Sequence, residues 1–388
     1  MRTQKLAIMN KVTFYFIVSI VTLSLFSCDK NDPAAEITPP RPYADQYKTD
    51  IADIKEYLNT YYITVINNPG KTDDQDVTIT KIPDGGTQRS IMSYLNAATF
   101  PKLLIRPVKL HDVDYELYYL VLRPGIGESP CNVDGVFTSY RGDYLKRIAA
   151  TTTAPATAEY ISATKFEEVK FPQSILNLST TIRGWKEIFP QFKKGTYTTN
   201  PDGTVSHYDF GSGLLFIPSG LGYFNFSPPT STIPAYSPLV FSFKLYEIQR
   251  LDHEVENRGG ILIPVPDGIL SFQEDLNGDG YIWTTSELAT GTPNPDDTDK
   301  DGTPDFLDID DDADNYTTKL EITKSGGSNL LLDGPSLYYP YNPIISSPAK
   351  ATDEKRGIPS YNKVTKVFDY TSSGRLRIHL DKEYPIKP

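Results

Sequence analysis

Oxygen-bearing side chains recur at every second position in three places along this 388-residue chain: Asp275, Asn277 and Asp279; Asp297, Asp299 and Asp301; Asp310, Asp312 and Asp314. Oxygens at positions 1, 3, 5, 7, 9 and 12, with a residue tolerant of positive φ at position 6, are the donor set of a calcium loop. In the third run Asp310, Asp312, Asp314, Asn315, Tyr316 and Glu321 fall at 1, 3, 5, 6, 7 and 12, with Asn in place of Gly. In the second, Asp297, Asp299, Asp301, Gly302, Asp305 and Asp308 fall at 1, 3, 5, 6, 9 and 12. The first run has Gly280 at 6, but Glu287 arrives one place late, at 13. Residues 275–321 carry 14 acidic and 2 basic side chains, so this segment supplies nearly all of the net charge of −11. Carboxylates this crowded repel unless a cation neutralises them. The spacing predicts bound calcium; a solvated acidic linker is the alternative.

No other constellation offers acid–base, nucleophilic or redox chemistry. HExxH, a Walker A loop and GxSxG are absent. The two cysteines form no CxxC pair, and His111, His207, His253 and His379 are scattered without ligand spacing. The negative balance argues against a nucleic-acid partner. With 39% apolar and 12% aromatic residues, the chain has material for about two domains with real cores.

The aromatic residues concentrate between about 113 and 250. YELYYLVL (115–122), GVFTSY (135–140) and LLFIP (214–218) read as strands. PLVFSFKLYEI (238–248) alternates, with Leu239, Phe241, Phe243 and Leu245 on one face and Ser242 and Lys244 on the other, as a half-buried antiparallel strand should. RGWKEIF (183–189) is the one helix-like piece among them. The expected fold is α+β, an antiparallel half-barrel sheet around one short helix.

Within this stretch, Ile182-Arg183-Gly184-Trp185-Lys186-Glu187 resembles the VIxGWxE turn of FKBP-type peptidyl-prolyl isomerases. Phe216-Ile217-Pro218-Ser219-Gly220-Leu221-Gly222-Tyr223 resembles that family's IPSxLaYG segment, and Ile233-Pro234 followed by Leu239-Val240-Phe241 its closing IPxxxxLvF strand. RPGIGESP (123–130) and Val136, Tyr140 and Gly142 resemble its opening strands. The resemblance covers residues 112–250 and implies cis/trans isomerisation of X–Pro bonds without any cofactor. It implies a pocket with Trp185 as floor and Tyr140, Phe166, Ile182 and Phe241 as walls, Ile233 on the closing strand, the Ile182 N–H on the substrate carbonyl, and the Tyr223 hydroxyl as a second donor. Three departures bear on turnover. The family's Phe-Asp edge reads Phe166-Glu167, the valine before the isoleucine is Thr181, and residues 143–165 replace a turn of a few residues.

Other elements place this domain. Residues 1–11 are basic and 12–27 apolar, too short to span a membrane, as in a signal peptide. Leu25-Phe26-Ser27-Cys28 resembles a bacterial lipobox, which implies a lipid anchor on Cys28; an ordinary secretory signal is the alternative. Residues 28–42 are a proline-rich tether whose Asp29 and Asp32 resemble a surface-export signal. In the N-terminal region 43–111, Tyr47, Ile51, Ile54, Leu58 and Tyr61 form one stripe of an amphipathic helix, and residues 64–110 give mixed signals. Residues 251–321 are the acidic segment, resembling thrombospondin type-3 repeats. Residues 322–388 are an irregular tail with a strand-like LRIHL at 376–380. The whole reads as an envelope lipoprotein, expected in the outer membrane of a Gram-negative bacterium, acting on proline-containing exported polypeptides. The alternatives are a peptide-binding chaperone with little turnover and a calcium-dependent surface or adhesion protein. Since no pocket motif falls in the acidic run, calcium is expected to leave the pocket unaffected.

Overall fold

The computed structural model describes residues 39–153, 156–229, 231–324, 336–342 and 357–384. The leader, Cys28 and most of the tether lie outside the described residues. No helix among the described residues is long and apolar enough to cross a membrane.

Helix α1 (Tyr43–Thr60) leads into a hairpin, β1 (Tyr61–Val65) and β2 (Val77–Lys81). The main sheet then collects β3 (Lys102–Leu110), β4 (Val113–Arg123), β5 (Gly135–Ile148), β6 (Tyr160–Val169), the short β7 (Leu176–Asn177) and, after a separate hairpin of β8 (Thr196–Thr199) and β9 (Val205–Tyr208), β10 (Gly211–Ile217) and β11 (Leu239–Gln249). Its order is β3-β4-β10-β11-β5-β6, with β7 on β5, and every pairing is antiparallel. The sheet curls around helix α2 (Arg183–Ile188), the α+β half-barrel expected from the sequence. It begins upstream of residue 112, because β3 lies within the stretch of mixed signals.

Alternation sends successive residues to opposite faces of the sheet. Leu117, Tyr119 and Val121 of β4 and Leu215 and Ile217 of β10 meet Trp185, Phe189 and Phe192 on the α2 side. Tyr118, Leu120 and Leu122, with Leu214 and Phe216, meet Ile54, Tyr57 and Leu58 of α1 on the other. The sheet is covered on both faces, which is why YELYYLVL is nearly unbroken in apolar residues. The reading of β11 as half-buried is therefore corrected. Val240 belongs to the α1-side core, and Lys244 is buried, paired with Asp76 and bonded to the Thr72 carbonyl at 3.0 Å. Residues 143–165 mostly lengthen the β5–β6 hairpin.

The tail has a core of its own, in which Ile358, Ile378 and Tyr384 pack with Ile269 and Ile322. LRIHL is not a strand. Ile378–Leu380 form a 3-10 turn that buries both Ile378 and His379, which a two-residue alternation would place on opposite faces.

Asp50 ties α1 to the loop after β10. It accepts hydrogen bonds from the Ser219 N–H (2.7 Å), the Ser219 hydroxyl (2.6 Å) and the Gln46 amide (2.6 Å). Burial outweighs these bonds and pushes its pKa from the ordinary 3.8 up to about 6. The folded state thus keeps a proton that the unfolded chain has released, and acidification through this window stabilises the fold through Asp50. In urea unfolding, wild type should gain about 3 kcal/mol on Asp50→Asn between about pH 7 and about pH 4. A flat difference would show that Asp50 is solvated.

Candidate functional site

A cavity of about 330 Å³ opens on the α2 side of the sheet, lined by Tyr140, Glu167, Leu176, Thr180, Thr181, Ile182, Trp185, Tyr223 and Phe241. Trp185 (4% exposed) and Phe241 (3%) form its base, ring centroids 5.2 Å apart at 87°. Tyr140 stands edge-on to Trp185 at 5.0 Å and 90°, and Phe166 edge-on to Phe241 at 5.6 Å and 89°. Edge-to-face contacts fix ring orientation as well as burying area. Register explains the gathering. Phe243 pairs with Tyr140 and Phe241 with Gly142 across β11–β5, while Phe166 is the extra residue where the β5–β6 register shifts between Gly142 and Asp143. A bulge of this kind re-aims one side chain. The ring can approach because Gly142 has no Cβ; one there would lie 2.5 Å from Phe166 and 2.7 Å from Phe241.

Of the residues expected in the pocket, the structure brings Tyr140, Glu167, Ile182, Trp185, Tyr223 and Phe241 together on one lining. Phe166 packs behind Phe241, and Ile233 lies in the core cluster rather than on the lining. Leu176, on the two-residue β7, Thr180 and Thr181 complete the lining, and the motifs assign none of the three a place in it. Ile182 caps α2 in an extended conformation, and its N–H donates to no acceptor among the described residues. Burial, then the charge of Glu167, holds the Tyr223 and Tyr140 hydroxyls above the ordinary tyrosine range, so both remain donors at neutral pH. Trp185 Nε1 is buried without a hydrogen-bond partner.

The outer side of α2 is covered by the segment leaving the first acidic run. The Arg183 guanidinium lies 3.4 Å from the Trp283 ring centroid, and Lys186 pairs with Glu287. The Tyr281 hydroxyl donates to the Glu187 carbonyl and accepts from the Gln191 amide, each at 2.7 Å. Asn132 holds Ile282 by two bonds, of 2.6 and 2.8 Å, beside the free thiol of Cys131, which burial pushes up to about 12 and so keeps unreactive. The acidic segment and the pocket floor therefore share α2, contrary to the independence expected from the order of the motifs.

The three acidic runs wrap alike. Asp275 accepts from the N–H groups of Gly278 and Gly280, Asp297 from Lys300 and Gly302, and Asp310 from Asp314 and Asn315. Positive φ falls at the same two places in each: Gly278 and Gly280, Lys300 and Gly302, Ala313 and Asn315. Asn315 adopts the left-handed conformation (φ 75°) that its position 6 requires. Oxygens of Asp297, Asp299 and Asp301 lie within 4.8 Å of one another, as do those of Asp310, Asp312 and Asp314, which is within reach of one hard cation. Burial, then the charges of Asp312 and Asp310, pushes Glu321 up to about 8, which places it beside the third loop. Burial and neighbouring charges, Asp301 and Asp299 among them, likewise raise Asp308 at the second loop. Asp305 is turned to Thr298, accepting from its N–H and hydroxyl at 2.8 and 2.7 Å. Beside the first loop Glu287 is engaged with Lys186 and Thr284; Asp296 stands there instead, accepting from the Leu276 N–H at 2.9 Å in the field of Asp275 and Asp279. Asp296 is 21 residues beyond Asp275, too far for a loop template to find.

Removing the Trp283 ring should loosen α2 first. Trp283→Ala is expected to cost about 3 kcal/mol and to speed amide exchange in α2, with β4 and β10 still protected. Unchanged exchange in α2 would mean that the acidic segment does not brace it.

Residues 266–352 match the family described as BamM C-terminal. Among curated proteins none matches the chain. Similar solved structures include a peptidyl-prolyl cis-trans isomerase from Pseudomonas syringae pv. tomato, 18% identical, the match covering 42% of this chain and 100% of that one at a TM-score of 0.26. FkpA from Escherichia coli is 23% identical over 39% of this chain and 54% of its own, at 0.25. The FKBP domains of a wheat protein are 16% identical over 34% and 46%, at 0.23. The chain thus spans about half the length of the last two. What residues 102–249 have is a curled antiparallel half-barrel sheet with α2 laid across it.

Proposed function

We propose that this protein is a peptidyl-prolyl cis-trans isomerase of the cell envelope, carrying an acidic module that binds calcium. The observation that carries the first part is the aromatic cavity of Trp185, Tyr140 and Phe241 with the unbonded Ile182 N–H at its rim. Rotation about an X–Pro bond crosses a barrier of about 18–20 kcal/mol and makes no new bond, so no nucleophile or metal is required. Water stabilises the planar, charge-separated imide more than the twisted one. A dry aromatic pocket therefore favours the transition state over the ground state. The proline ring would sit on Trp185, the Ile182 N–H would take the carbonyl, and the Tyr223 hydroxyl would be a second donor.

A second reading, a peptide-binding chaperone with little turnover, is favoured by one observation. Glu167 brings a carboxylate to the lining beside Tyr140 and Tyr223, where water and charge oppose the dry pocket. The two readings separate in an assay of proline isomerisation. The chain should accelerate cis-to-trans conversion of X–Pro peptides, and Phe241→Leu should lower the rate about 10- to 200-fold, the range for loss of apolar shape in a pocket. Tyr223→Phe, which keeps the ring, should cost less. An uncatalysed rate from a folded wild-type sample that still binds proline peptides would leave the chaperone reading.

For the acidic module, the carrying observation is the common wrap of the three loops. Calcium is preferred to magnesium, because the loops offer flexible carboxylates rather than rigid octahedral geometry. Residues Asp275, Asn277 and Asp279; Asp297, Asp299, Asp301 and Asp308; and Asp310, Asp312, Asp314 and Glu321 would hold the ions, with Asp305 bracing the second loop. The segment should be cut readily by protease in chelator and resist it in calcium. Asp310→Asn with Glu321→Gln should abolish one site and spare the second loop. Equal proteolysis with and without calcium would reduce the segment to a charged spacer. A lipid anchor on Cys28 and an outer-membrane setting complete the proposal, supported by the LFSC run and in accord with the match to the BamM C-terminal family. The clients would be proline-containing exported polypeptides.

A further inference from the structure

Glu274 is the residue just before the first loop. It is 2% exposed, and neither of its carboxylate oxygens has a hydrogen-bond partner among the described residues. Its oxygen lies within 4.8 Å of oxygens of Asp267 and Asp311, both equally buried, and Asp267 Oδ2 also has no partner. The strongest charge effects on Glu274 all come from acids: Asp311, Glu254, Asp267 and Asp305. Asp267 belongs as well to a second group of the same reach with Asp252 and Glu254. A buried carboxylate without hydrogen bonds or a counter-charge costs several kcal/mol, so such a cluster is not kept as three bare anions. The sequence template does not reach it. Glu274 precedes its loop, Asp311 is a spacer between two loop positions, and Asp267 stands outside the acidic run.

We propose that Asp267, Glu274 and Asp311 form a buried calcium centre, separate from the three loops. Oxygens within 4.8 Å of one another stand near the spacing of a calcium ion's ligands, whose opposite pairs lie about 5 Å apart, against about 4 Å for magnesium. The donors are hard carboxylate oxygens, and all but Asp267 Oδ1, which accepts from the Ile269 N–H at 2.6 Å, lack a partner among the described residues, as suits calcium. The centre joins three pieces of chain: the link from β11, the start of the first loop, and the third loop. The ion would therefore fix the acidic module as one body rather than order one loop at a time. Such a centre needs neither isomerase activity nor a filled loop.

The test uses the full chain in detergent, with calcium counted by native mass spectrometry beside the double variant Glu274→Gln/Asp311→Asn. Both amides keep the shape and remove the charge. The variant should hold one ion fewer than wild type; its melting transition in EGTA shows that it is folded. An equal count in a folded variant overturns the centre and leaves an acid cluster that shares protons. If the variant does not fold, europium bound to wild type decides, through its luminescence decay in water and in deuterium oxide. The buried centre gives a class of ion stripped of nearly all its water, distinct from the loops with their exposed Asp301. Water-rich ions alone overturn it, and no bound ion at all overturns the loop reading as well.

Discussion

Everything at the candidate pocket depends on holding a six-residue helix in place. Helix α2 is far below the length at which a helix is stable in water by itself, so its position comes entirely from packing. Gly184 makes the approach possible. A Cβ there would lie 2.7 Å from Ile217, so any larger residue would push the helix off β10. With the backbone that close, Trp185 stacks on Phe189 at 4.8 Å and meets Phe241 edge-on, and the cavity floor is fixed to the sheet. The opposite side of the same turn is held by charge and ring contacts from Trp283, Tyr281 and Glu287. A short helix gripped from both sides has little freedom to tilt, and tilt is what would open the floor.

The acidic module faces a different difficulty. Between 251 and 324 the apolar residues are few, and the cluster joining it to the sheet is small: Cys131 and Val133 from one side, Ile282 and Phe306 from the other. Backbone N–H groups turned onto Asp275, Asp297 and Asp310 shape the loops locally, but they cannot offset the repulsion among carboxylates that burial brings together. In the half-barrel domain the apolar faces do the gathering. In the module few apolar side chains are available for it, and the crowded carboxylates oppose it.

This contrast also decides what was legible in the sequence. The strands, the position of α2 and most of the pocket lining follow from runs and motifs of adjacent residues, because a strand or a turn is a local object. The first, third and fifth donors of each loop are legible for the same reason. What the sequence hides is set by packing between distant pieces. Lys244 looks like a solvent-facing residue until the β1–β2 region covers it, and Asp76 supplies its counter-charge from 168 residues away. Phe166 meets Phe241 behind the cavity only through a register shift. Asp296 takes the place expected of Glu287, whose carboxylate is drawn instead to Lys186.

That last exchange has a consequence for how the two parts work together. Had Glu287 closed the first loop, the loop would have been self-contained. Turned toward Lys186, it spends its charge on the pocket helix, and the loop is completed by Asp296, next to the first residue of the second loop. The first loop is thereby tied forward to the second through Asp296–Asp297 and sideways to α2 through Tyr281, Trp283 and Glu287. A change in the shape of that loop has to be taken up at one of these two attachments. The second loop is itself braced by Asp305 on Thr298, and α2 by Trp283 on Arg183, Glu287 on Lys186 and the Tyr281 hydroxyl on the Glu187 carbonyl. The acidic module, though remote in sequence, thus touches the helix that carries Trp185 and is positioned to set how firmly that ring is held.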